Sequence, residues 1–173
     1  MGLLTNGASI LGIGGATFRS SIPLLESYAT RPEVKENPPF GVIVVLGGDE
    51  ISKAKSGADV DQVAVSCQEF CLLVRQHFPN TLIALYQVED RYEVGPGAIN
   101  LHHKRLGSRY NYWLNKWDGK DVLVTIKGAR VLSDASVYLV DGVHLNDEGY
   151  ARFAQRLMHV IWKLWQRRAA HPM

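Results

Sequence analysis

Two cysteines among 173 residues, Cys67 and Cys71, are too few to staple a small secreted fold. Their spacing puts both thiols on one face of a helix, which makes them core residues and fits a reducing, intracellular location. Excess charge is missing as well. Nineteen Lys and Arg against seventeen Asp and Glu leave a formal +2, too little to define a nucleic-acid-binding protein. No run of residues is long and apolar enough to span a bilayer. The start, Met1 to Asn6, has neither the basic flank nor the apolar stretch of a signal peptide. There is no internal repeat and no low-complexity tract. His102 and His103 are adjacent and point to different helix faces, so metal-ligand spacing is lacking and no metal or cofactor is expected. Gly12-Ile13-Gly14-Gly15 lacks the third glycine of a dinucleotide fingerprint, Thr17 standing in its place.

What remains is an ordinary globular composition and one expected domain over residues 1–173, with its core at about 8–166. Short apolar runs alternate with longer periodic segments, the pattern of parallel strands joined by crossover helices. Strands are expected at Ala8 to Leu11, Val42 to Leu46, Thr81 to Gln87 and Val122 to Ile126, with a shorter one at Val137 to Val140. The unbroken apolar run Val42-Ile43-Val44-Val45-Leu46 predicts a strand covered on both faces.

Helices fill the intervals. The first begins around Ser20-Ser21 with Pro23 in its first turn and ends near Tyr28. The second carries Val60, Val63, Ala64, Cys67, Phe70, Cys71 and Val74 behind a cap at Asp59. A third carries Ile99, Leu106, Tyr110, Trp113, Leu114 and Trp117. The last carries Tyr150, Phe153, Ala154, Leu157, Val160, Ile161 and Leu164, capped by Asn146 or Asp147, with Lys163, Arg167 and Arg168 at the negative end of its dipole. Loops are expected at Arg31 to Phe40 and Glu93 to Gly97. The tryptophans Trp113, Trp117, Trp162 and Trp165 fit core packing or a partner contact better than base stacking.

The chemistry concentrates at Asp141-Gly142-Val143-His144. An aspartate accepting the imidazole Nδ1 proton fixes the tautomer and leaves Nε2 free to take a proton from a hydroxyl nucleophile. A turn that merely caps the final helix would also accommodate these residues. Two glycine turns, Gly12 to Thr17 and Gly47-Gly48-Asp49-Glu50, each follow a strand candidate and should face the same sheet edge. There, backbone amides can approach a substrate oxyanion.

In this order the three segments resemble the SGNH (GDSL-type) hydrolases, over roughly Ile10 to Leu164. The resemblance implies a flavodoxin-like, three-layer α/β/α sandwich with a parallel sheet, and serine esterase or acyl-hydrolase activity on a small acyl ester. It assigns Asp141 and His144 to the catalytic pair. Gly14 or Gly15, Gly48 and the position of Asp49 fall to the oxyanion hole.

Two departures accompany it. The Gly-Asp-Ser block that bears the family's nucleophile has no counterpart, so the resemblance implies an amino-terminally truncated or degenerate member short of its first strand. Ser9 is the weak candidate nucleophile, with Ser20 and Ser21 no better. Asp49 replaces an asparagine whose amide donates to the oxyanion, and Glu50 lengthens the neighbouring aspartate. Together these predict an impaired or inactive enzyme. The alternative is a catalytically silent module binding RNA or protein, with Lys104, Arg105, Arg109, Lys163, Arg167 and Arg168 as contacts. A sheet short of a strand would expose an edge open to self-association.

Overall fold

The computed structural model describes residues 9, 11, 14–93, 98–117, 123–126 and 134–170, with only the backbone described at 123–126 and 167–170. Half of the expected strand at Ala8 to Leu11 and most of the loop at Glu93 to Gly97 lie outside the described residues.

Thr17 and Ser20 start the first helix by a reciprocal capping box, each side chain accepting from the other's amide. This helix, α1 (Phe18–Ala29), therefore begins before the expected point and places Pro23 in its interior. The correction has a local cause: two satisfied first-turn amides outweigh the one interior bond that an exposed proline deletes. Within the expected loop, Pro32 opens the short α2 (Pro32–Glu36).

Strand β1 (Gly41–Val44) leads through a left-handed Gly47 into α3 (Gly48–Lys53) and the long α4 (Gly57–His77). The cap of α4 is Ser56, and Asp59, expected there, is its capping-box partner. Then follow β2 (Leu82–Tyr86), α5 (Leu101–Trp117) and β3 (Leu123–Ile126). Asn146 accepts from Gly149 N at 3.0 Å and starts α6 (Asp147–Ala170) as expected.

The described sheet is parallel, in the order β1-β2-β3, with Gly41 beside Leu82 and Ile83 beside Leu123. Strand periodicity separates the two cores. Ile83 and Leu85 face α1, α4 and α5, in a cluster that holds Ile51, Val60, Cys67, Phe70, Val74, Tyr110 and Leu114. Ala84 and Tyr86 face α6 through Phe153, Leu157, Val160 and Leu164. The molecule is thus helix, sheet, helix. Each large side chain buried there stabilises the fold by about 1.5–3 kcal/mol. All seven apolar positions read on α4 are buried, both cysteines included and unpaired.

The strand expected at Val137 to Val140 is instead a single 3₁₀ turn, Ala135–Val137, followed by one bridge between Tyr138 and Leu145. Asp134 starts the turn by accepting from Ser136 N at 2.9 Å. Leu139 and Val140 are exposed, so no sheet face holds them extended. Strands β1 and β3 are the outer strands of the described sheet.

Candidate active site

Asp141 and His144 meet as their spacing allows. His144 Nδ1 lies 2.6 Å from Asp141 Oδ2, while Asp141 Oδ1 accepts from the amides of Val143 and His144, each at 2.9 Å. The hydrogen bond from His144, assisted by the two amides, holds the Asp141 carboxyl down at about 2. Backbone bonds on both sides fix this loop. Leu139 N donates to His144 O, Tyr92 N to Gly142 O, and Asn146 N to Val137 O. Gly142 has φ +68°, and a Cβ there would strike the Tyr92 carbonyl. Only glycine fits between the dyad and the Tyr92 backbone.

Beside the dyad lies an open cleft of about 300 Å³, lined by Gly15, Gly47, Gly48, Asp49, Tyr86 to Arg91, Val143 and Leu145, among others. It sits at the carboxyl ends of β1 and β2, where open α/β sheets bind ligands. Val143 and Leu145, on either side of His144, both line it, whereas neither Asp141 nor His144, whose side chain is 68% exposed, is among the lining residues. Of the two glycines assigned to the first turn, Gly15 lines the cleft and Gly14 does not.

Asp49 lines the cleft as part of an ion pair. Arg91 Nη2 approaches its Oδ1 at 3.2 Å, and its Oδ2 would be 3.1 Å from a Cβ on Gly15. The carboxylate therefore packs directly against the backbone of the first glycine turn. Glu50 points elsewhere, accepting from Phe18 N at 3.2 Å and so tying α3 to the first turn of α1. Burial pushes its carboxyl upward, opposed by that amide.

Three cleft residues escaped the sequence reading: Tyr86, Glu89 and Arg91. Their signal was the polar run Gln87 to Arg91 directly after a buried strand. Tyr86 OH donates to Glu89 Oε1 at 2.5 Å, and Glu89 Oε2 is buried without a partner. Burial pushes the Glu89 carboxyl up to about 7, more than the Tyr86 hydroxyl lowers it.

No described serine approaches this arrangement as a nucleophile. Ser9 is exposed and does not line the cleft. Ser20 closes the capping box, and Ser21 Oγ donates to Thr17 O at 2.8 Å. Ser52 Oγ stands 3.2 Å from His103 Nδ1, but it also donates to Gly48 O at 2.9 Å, within its own helix. The ring of His103 is buried and held at Nε2 by Glu89 O, 3.1 Å away. Burial lowers its pKa, and its two ring nitrogens bridge Ser52 and the Glu89 carbonyl. Among the described residues no acidic, histidine or cysteine cluster could hold a metal ion, and no helix is long and apolar enough to cross a membrane.

No protein-family model matches the chain, and no curated protein matches it by sequence. Solved structures do match its backbone. A GDSL-like lipase from Bacteroides thetaiotaomicron has a TM-score of 0.64 at 17% identity, over 88% of this chain and 74% of the other. A carbohydrate esterase of family 3 from Talaromyces cellulolyticus has a TM-score of 0.64 at 14% identity, over 95% and 79%. A family 3 carbohydrate esterase from Clostridium thermocellum has a TM-score of 0.61 at 15% identity, over 88% and 68%. The fold is that of the SGNH (GDSL-type) hydrolases, as the sequence motifs implied.

Proposed function

We propose that the chain is an SGNH-type serine esterase or acyl-hydrolase domain by descent, with Asp141 orienting the ring and His144 as general base. The observation carrying this reading is the 2.6 Å contact between His144 Nδ1 and Asp141 Oδ2 beside a cleft that two glycine turns line. In the complete mechanism, a serine hydroxyl attacks the acyl carbonyl and passes its proton to His144 Nε2. Amides near Gly15 and Gly48 hold the oxyanion.

Hydrolysis in this chain is impaired for two reasons. A carboxylate at position 49 cannot donate to an oxyanion, and loss of one such donor costs about a hundred- to a thousandfold in rate. Arg91 balances the charge of Asp49 without restoring that donor. The second reason is that no described serine lines the cleft. The RNA-binding alternative is weakened because Arg109 is held by both oxygens of Asp61, at 2.9 and 2.6 Å, and Lys104 stands 3.9 Å from Asp90.

The test combines a short-chain acyl ester assay with labelling by a serine-directed phosphonate. Weak hydrolysis that falls further in His144→Ala, with no serine labelled, supports the reading. Strong activity with covalent labelling of Ser9, Ser20 or Ser21 overturns the impairment. Activity indifferent to His144→Ala overturns the assignment of the dyad.

A further inference from the structure

The last helix has two apolar faces. Phe153, Leu157, Val160 and Leu164 turn inward onto the sheet. On the opposite side, Ala151, Ala154, Met158, Trp162 and Trp165 recur every three or four residues, and all are exposed. Met158 is 63% exposed, Trp162 53% and Trp165 60%. Such spacing makes one continuous seam along about 20 Å of helix. A surface helix with a single task would carry polar residues there.

We propose that this seam is the interface of a homodimer, in which two copies of the last helix pack antiparallel about a twofold axis at Met158. The reason for choosing a second copy lies in the order of sizes along the seam. Small residues occupy its amino-terminal half and tryptophans its carboxy-terminal half, on either side of Met158. In an antiparallel pair centred on Met158, Trp162 meets the other copy's alanine at position 154, and Trp165 meets the alanine at position 151. Met158 meets its own counterpart. Every large side chain thus finds a small one, as a self-complementary twofold interface requires. A helix designed only for solvent, or for an unrelated groove, has no need of that symmetry.

The area is sufficient. The exposed parts of the two tryptophans amount to about 200–300 Å² per copy, already the size of a patch that marks an interaction surface. With Met158, the alanines and the flanking Gln155 and Ile161, two copies remove roughly 1,000 Å² from water, at the lower end of specific interfaces. His159 stacks on Trp162 with ring centroids 6.3 Å apart, which limits the freedom the indole loses on association. This surface is separate from the cleft and from the edge of β1.

Sedimentation velocity over a range of concentrations reads the association directly. The full chain should show a reversible dimer. Met158→Lys, which sets two like charges face to face on the axis, should raise its dissociation constant by about a hundredfold or more. Ala154→Trp should do the same by filling the socket for Trp162. Because both positions are exposed, far-ultraviolet circular dichroism and the melting midpoint of the monomer should not change. Met158→Cys should form an intermolecular disulfide under an added oxidant, since the two Cα atoms must lie within about 7 Å for a bond to close. Cys67 and Cys71 are buried and give no competing link. A chain that stays monomeric at high concentration overturns the proposal and assigns the seam to another partner. A dimer that survives both Met158→Lys and Ala154→Trp also overturns it, and points to the edge of β1 instead.

Discussion

Arg91 Nη2 lies 3.2 Å from Asp49 Oδ1, joining the chain just beyond β2 to the first turn of α3 across the floor of the cleft. That pairing bears on the oxyanion role proposed for the turn at Gly48 and Asp49. A bare carboxylate facing the Gly15 backbone would repel any anion formed there, whereas a paired one is tolerated but still lacks a hydrogen to donate. The neighbouring Lys53 stands farther off, at 3.9 Å, and is mostly exposed.

Asp49→Asn should therefore increase hydrolysis. Under the esterase reading, kcat/KM for 4-nitrophenyl acetate should rise by about ten- to a hundredfold, since the new amide supplies the missing donor even where water is the nucleophile. Steady-state kinetics of the purified variant measure this. No increase would mean that the oxyanion forms elsewhere.

Asp141→Ala should release the imidazole of His144. Long-range proton–nitrogen spectra above the imidazole titration should find the proton on Nδ1 in the wild-type chain and mainly on Nε2 in the variant. The amides of Val143 and His144 should exchange faster by roughly tenfold, having lost their acceptor. The sign of the pH dependence follows from a depressed carboxyl: order in this loop is present above the ordinary aspartate range, near 3.9, and is lost as pH falls toward about 2.

Glu89 should act in the opposite direction. Its folded-state carboxyl is raised from 4.5 to about 7, so the folded chain binds the proton more tightly and stability declines as pH rises through that interval. The loss is at most about 3 kcal/mol, from the size of the shift. Glu89→Gln should flatten the decline and make the variant the more stable of the two at pH 8. Urea unfolding at pH 5 and pH 8 distinguishes them, and an unchanged pH slope would show that Glu89 is not the group responsible.

Gly142→Ala should damage both the loop and the fold. The left-handed backbone and the clash with the Tyr92 carbonyl act together, so a loss of at least about 2 kcal/mol is expected. Thermal unfolding measures it. Nuclear magnetic resonance shifts at Asp141 and His144 should move as well, because the glycine sits between them and the bond from Tyr92.

Much of the fold was legible because burial follows period. The seven inward positions of α4 repeat every three or four residues, and β1 and β2 are unbroken runs without a charged residue. The pair Asp141 and His144 was equally accessible, since three-residue spacing lets its members meet, with the Tyr92 backbone holding the turn from one side. Local chemistry misled where two signals competed. Pro23 suggested a helix start that Thr17 and Ser20 had already supplied, and the apolar residues of Val137 to Val140 resembled a strand, although among the described residues only the single Tyr138–Leu145 bridge pairs them.

The cleft is another matter. That Arg91 neutralises Asp49, and that Glu89 sits under Tyr86 with one buried oxygen unpartnered, depends on which strand ends lie side by side. Burial and ion pairing are properties of neighbours in space, and those neighbours are about forty positions apart in the case of Asp49 and Arg91. The sequence by itself determined the layered α/β architecture and the pairing of Asp141 with His144, because periodicity and short turns are local. Only the tertiary structure decided which glycine reaches the cleft, what charge faces it and which side of the last helix lies open, because each depends on segments that folding brings together.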